Sequence, residues 1–123
     1  MNNLLILIKK MHEKYNITHD EIEFSARENS FRVTAMQEEL DEYIFSTKDE
    51  EKVDALIDLI IFAMGTIERL GYLDIFEDAF EAIMKSNMTK KVGKNEKRDN
   101  FELDLIKTDE WEPAVLTDLI RRK

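Results

Sequence analysis

Two aspartates interrupt the most hydrophobic stretch of the chain. Asp54 and Asp58 lie within the run from Val53 to Gly65, which is otherwise apolar. They are four residues apart, so on a helix they share one face, one turn above the other. No Lys, Arg or His occurs between Lys52 and Arg69 to neutralise them locally. An ionised carboxylate taken out of water without a partner is costly, and two on one face also repel. A bound divalent cation would offset both penalties.

A second acidic set precedes them. In Glu38-Glu39-x-x-Glu42, Glu39 and Glu42 fall on neighbouring turns beside an apolar stripe, with Glu38 farther round the helix. Two glutamates from one helix and two aspartates from the next make an all-oxygen donor set, which favours Mg²⁺, or Mn²⁺ in its place, over zinc. Mg²⁺ commonly binds through carboxylates together with substrate phosphates. Glu38 is then placed to orient and deprotonate a water. The basic run Lys90, Lys91, Lys94 and Arg98 offers charge for the outer phosphates. Other chemistries lack their residues. His12 and His19 lie on neither carboxylate helix, so no Glu-x-x-His pair exists for a di-iron bundle. There is no phosphate-binding glycine loop and no cysteine.

The elements that must position these groups are helices. Helix one is expected over 3–15, with Leu4, Ile8, Met11 and Tyr15 as its stripe. Residues 16–29 read as a loop with one turn at Thr18-x-x-Glu21. Helix two is expected over 30–46, capped by Asn29 or Ser30, with Met36, Leu40, Tyr43 and Ile44 facing the core. Helix three is expected over 48–70, opened by a Thr47–Glu50 capping box, stopped by Gly71, and buried in the middle of a bundle. On it Glu51, Asp54, Asp58, Ile61 and Gly65 form one face, and Gly65 leaves room for a ligand or a neighbouring helix. Helix four is expected over 75–87 with Asp74 as N-cap. Residues 88–112 read as an irregular basic segment, and Pro113 starts a short helix over 113–121. Short connections make helices two, three and four antiparallel neighbours. The fold class is therefore an all-α antiparallel bundle of about four main helices plus a short C-terminal one.

At 123 residues the chain is read as one domain, 1–123, with net charge −9. Residues 1–84 carry 8 basic and 19 acidic side chains, and 85–123 carry 10 and 8. The acidic balance argues against a duplex nucleic-acid partner. The only apolar run near the N-terminus, Leu4 to Ile8, is too short to span a bilayer, so no membrane association is expected and cytoplasm is the default location. The apolar surface exceeds what one small bundle covers, which predicts a homo-oligomer, either a homodimer or a dimer of dimers.

The ordered series of motifs resembles the all-α nucleoside triphosphate pyrophosphatases: MazG-like proteins, dimeric dUTPases and phosphoribosyl-ATP pyrophosphohydrolases. It comprises Glu38-Glu39-Leu40-Asp41-Glu42, then Val53 to Ile60, then Phe62 to Thr66. Ser86-Asn87-Met88-Thr89-Lys90 and the tail Asp104 to Pro113 complete it. With its Asn-Met-x-Lys segment and Lys-x-x-x-Trp tail, the chain resembles the small phage-type branch. The resemblance implies Mg²⁺-dependent hydrolysis between the α- and β-phosphates, with sites built partly across subunits. It implies Glu39 and Glu42 as the first metal pair, Asp58 as the aspartate of the second, and Glu38 as the water-activating carboxylate. Asn87 and Lys90 match a nucleotide-binding segment, and Lys107 and Trp111 of the tail join them as candidate substrate-binding residues. One departure stands out: three residues before Asp58 is Ala55, where the family has Glu. Either Asp54 replaces that glutamate or the pair is Glu51-x-x-Asp54. The departure also leaves room for a non-catalytic oligomer that binds nucleotide or protein on the same scaffold.

Overall fold

The computed structural model describes residues 2–121. The ends of the expected domain, Met1 and Arg122–Lys123, lie outside the described residues. The expected all-α architecture forms, with four main helices and a short C-terminal one. The chain divides into two compact units, Met1–Asp74 and Ile75–Lys123. Among the described residues no helix is long and apolar enough to cross a membrane.

The first unit holds α1 (Asn3–Lys14), α2 (Ala26–Phe45) and α3 (Asp49–Arg69). Helix α2 begins four residues before its expected start. Ser25, not Asn29 or Ser30, is the N-cap, and its side chain accepts from Glu28 N at 3.0 Å. The extra turn is polar, so apolar periodicity did not mark it. Helix α3 begins without the expected Thr47–Glu50 box: Lys48 is the cap and makes no side-chain cap bond. Three acidic residues, Asp49, Glu50 and Glu51, instead complement the positive end of the helix. Gly71 ends α3 as expected. It adopts φ +89°, a left-handed conformation that a Cβ disfavours, and Tyr72 N donates back to Ile67 O at 3.0 Å. Between α1 and α2 the Thr18 turn forms, with Glu21 N donating to Thr18 O at 2.9 Å.

Helices α2 and α3 pack antiparallel: Glu28 meets Arg69 at one end, and Glu42 shares a crevice with Asp54 at the other. Arg32 and Ala35 of α2 and Ala55 and Gly65 of α3 are buried. The expected stripes are turned relative to this seam. On α2, Leu40, Tyr43 and Ile44 are exposed in the single chain. Helix α3 is not enclosed: Val53, Leu56, Ile57 and Ile60 are exposed. On α1 the buried residues are Leu5, Ile8 and His12, whereas Leu4, Met11 and Tyr15 face out. Polar pairing sets these rotations. His12 is drawn inward by Glu68, and Arg32 by Glu28.

The second unit begins with α4 (Phe76–Asn87), which a 3₁₀ turn at Leu73–Ile75 leads into. Ile75 stands at the cap position that was expected of Asp74. Phe76 and Phe80 stack with ring centroids 5.8 Å apart. The segment after α4, expected to be irregular, contains an antiparallel hairpin of β1 (Lys91–Gly93) and β2 (Asp104–Ile106), with Val92 opposite Leu105. Three-residue strands are too short to show an alternating pattern. The last helix, α5 (Thr117–Arg121), starts four residues after Pro113.

Candidate active site

The α2–α3 seam brings the expected carboxylates together. Glu39 is half-buried, and its Oε2 is buried with no hydrogen-bond partner. Burial raises its pKa above the ordinary carboxylate value, and the negative charges of Glu42, Asp58 and Asp54 push it further in the same direction. Asp58 is half-buried, while Glu42 and Asp54 reach solvent. Glu42, Glu51 and Asp54 line one crevice of about 380 Å³, together with Phe45 and Ser46. Both forms of the second acidic pair, Asp54 with Asp58 and Glu51 with Asp54, therefore stand on the side of α3 that faces α2. Glu38 is exposed on α2. Ala55, three residues before Asp58, is fully buried.

Among the described residues no ion pair neutralises Glu39, Glu42, Asp54 or Asp58, the nearest sequence cation being committed elsewhere. Lys52 donates to Tyr43 O at 3.1 Å and sits 4.7 Å from the Tyr43 ring centroid. Among the described residues no group of three or more His, Asp or Glu side chains already stands in a cage for a metal ion. The orphaned Glu39 oxygen and the hard oxygen donors around it nevertheless fit a hard divalent cation.

The opposite end of the same seam holds a buried charge network that sequence reasoning missed. Arg69 grips Glu28 with two bonds, Nη2 to Oε1 at 2.7 Å and Nε to Oε2 at 2.8 Å, and donates from Nη1 to Ile22 O at 2.9 Å. Arg32 Nε donates to the same Glu28 at 2.9 Å. These guanidinium bonds, Arg69 first, overcome the effect of burial and lower the Glu28 pKa to about 2. Beside them Glu68 accepts from His12 Nδ1, from His19 Nδ1 at 2.7 Å and from His19 N at 3.0 Å. Burial alone would raise the Glu68 pKa, but the histidine bonds outweigh it and hold the group below its ordinary value. An ionised carboxylate only accepts, so both imidazoles present Nδ1–H to it. Gly65 makes the close packing possible. A Cβ there would sit 3.2 Å from His12 Nε2 and 3.3 Å from an Arg32 nitrogen, so the room expected at this glycine is used by the neighbouring helices. The available signal was Ser25-x-x-Glu28, a capping box, and the placement of Arg69 on the Gly65 face of α3.

In the second unit the tail folds back on the end of α4. Thr108 Oγ1 donates to Thr89 O at 2.7 Å, and Ser86 Oγ donates to Glu112 O. This places the ammonium groups of Lys107 and Lys90 4.4 and 6.0 Å from the Trp111 ring centroid. Asn87, the last residue of α4, is half-buried. Lys90, Lys94, Arg98 and Lys107 line a crevice of about 440 Å³. Lys91, the first residue of β1, lines a different one, of about 420 Å³, and Lys107 borders both. Arg98 is engaged by Asp104 at 3.1 Å and ties the hairpin loop to β2.

Neither a curated protein nor a solved structure matches the chain. The family model for phosphoribosyl-ATP pyrophosphohydrolase matches residues 7–87, which include both carboxylate segments, both histidines and the whole buried network. On that match the chain belongs to the phosphoribosyl-ATP pyrophosphohydrolase family, within the MazG-like all-α pyrophosphatases, and is a hydrolase of the pyrophosphohydrolase type.

Proposed function

We propose that this protein is a Mg²⁺-dependent nucleoside triphosphate pyrophosphohydrolase that releases a nucleoside monophosphate and pyrophosphate. The observation that carries the reading is the unneutralised carboxylate end of the α2–α3 seam, with the orphaned Glu39 oxygen at its centre. Glu39, Glu42, Asp54 and Asp58 would hold the metal, with Glu51 as the alternative donor, and Mn²⁺ would be able to substitute. When bound, the ion supplies Lewis-acid polarisation and charge for the phosphate oxygens.

The remaining chemistry belongs to the side chains. Glu38 orients a water and accepts its proton as the water oxygen bonds to one of the two phosphorus atoms flanking the α–β bridge. The bridging P–O bond breaks and its electron pair leaves with the departing phosphate group. Lys90, Lys91, Lys94, Arg98 and Lys107 are proposed phosphate ligands, with Asn87 and Trp111 as further substrate contacts. Arg98 would exchange its bond to Asp104 for one to phosphate. Exposed apolar residues on α2 and α3 support self-association, as a homodimer or a dimer of dimers.

Product analysis on a panel of ribo- and deoxyribonucleoside triphosphates and phosphoribosyl-ATP tests the reading. Monophosphate plus pyrophosphate, abolished by chelation, is the expected result for at least one substrate. Orthophosphate plus a diphosphate, or no turnover in Mg²⁺ or Mn²⁺, would overturn it.

A further inference from the structure

Phe45 is the most exposed aromatic ring of the carboxylate helices, 80% accessible, and it lines the same crevice as Glu42, Glu51 and Asp54. Its position is set by helix register. Residues 38, 42 and 45 follow i, i+4, i+7, so Phe45 continues the line of Glu38 and Glu42. The outward apolar line of α2 runs through Val33, Leu40 and Ile44, on a different face. Phe45 is also the last residue of α2. The next residue, Ser46, bonds back to Glu42 O through its side chain and its backbone N–H, which fixes the helix end that carries the ring.

Resting on the function proposed above, we propose that Phe45 is a substrate-binding residue that stacks on the nucleobase of the triphosphate held by the carboxylates. The crevice volume of about 380 Å³ is in the range of small-molecule sites. A phenyl ring accepts any base face, so it contributes affinity for the nucleoside end of the substrate without hydrogen-bond selection.

The test compares F45A, F45W and E39Q with the unaltered protein. Binding of an α,β-methylene nucleoside triphosphate is measured by calorimetry in Mg²⁺, and inorganic tripolyphosphate serves as the probe without a base. F45A should weaken the nucleotide roughly tenfold and leave tripolyphosphate unchanged, and F45W should restore nucleotide binding. F45A that binds nucleotide as tightly as the unaltered protein overturns the proposal. So does equal weakening of both probes, or a loss of oligomer mass in sedimentation that accounts for the weaker binding. E39Q separates the two readings: if it retains binding of both probes, the carboxylate site itself is wrong. If E39Q loses both while F45A changes neither, only the stacking role falls.

Discussion

The two ends of the α2–α3 seam treat charge in opposite ways. At the Gly65 end, Glu28 and Glu68 are matched by Arg32, Arg69, His12 and His19, and the two carboxyls are held below their ordinary values. At the Ala55 end, Glu39, Glu42, Asp54 and Asp58 face one another without a cation among the described residues, and the Glu39 carboxyl is raised. Matched charge of this kind fixes the register of the helices and the seat of α1. Unmatched charge opposes folding unless solvent or a bound ion offsets it. The difference sets a charge-matched end against the end that carries the proposed site, within a single pair of helices.

The largest effect should come from breaking the matched end. R69A removes a buried guanidinium and leaves Glu28 with Arg32 alone, which should cost about 3–5 kcal/mol in denaturant unfolding. A loss under about 1 kcal/mol would mean that the network is not holding the seam. At the unmatched end the same kind of change should act on activity instead. E39Q should lower turnover by roughly 100-fold or more, the scale of one strong electrostatic contact. Without metal it should leave stability equal or higher, because it removes a charge that its neighbours repel.

Acid should distinguish the ends as well. The folded pKa of Glu28, about 2, lies below its ordinary value of 4.5. Its contribution is therefore complete above pH 4.5 and is lost as the pH falls toward 2. It should amount to something on the order of 2 kcal/mol after allowance for solvent screening. Glu68 acts in the same direction. Glu39, raised rather than lowered, has the opposite sign: its protonation at falling pH relieves repulsion and should weaken Mg²⁺ binding. Unfolding curves from pH 3 to 7, with and without Mg²⁺, would reveal both. The smallest change is S25A, which removes the cap of α2 next to Glu28 and should cost about 1 kcal/mol.

The convergence of carboxylates was legible in the sequence because it breaks a pattern: Asp54 and Asp58 stand inside an apolar run, at helical spacing, and the fold sets them beside Glu39 and Glu42. The matched end was not legible for the converse reason. Glu28 and Arg32 are an ordinary i,i+4 pair, and Glu68 and Arg69 sit near a helix end where charges are common. Only the fold brings residues 12, 19, 28, 32, 68 and 69 into one cluster. Helix rotation departs from the apolar periodicity for the same cause, since His12 and Arg32 face inward in place of the apolar residues beside them. The hairpin escaped notice because its strands are three residues long. Lys107 stands out from the tail motif and Lys90 from the basic run and the Ser86–Lys90 segment, but their convergence on the indole depends on the Thr108–Thr89 and Ser86–Glu112 bonds between distant segments.

The proposed function requires a carboxylate end that is uncompensated until a divalent cation binds. Thermal unfolding of the unaltered protein and of E39Q across a MgCl₂ titration tests it most directly. Binding to the folded state stabilises it, by about 2.7 kcal/mol at 100 times Kd, and so raises Tm with ligand concentration. A Mg²⁺-dependent rise in Tm is expected for the unaltered protein and little or none for E39Q, whose metal-free Tm equals or exceeds that of the unaltered protein. Equal rises in both proteins, or no rise in either, would contradict it.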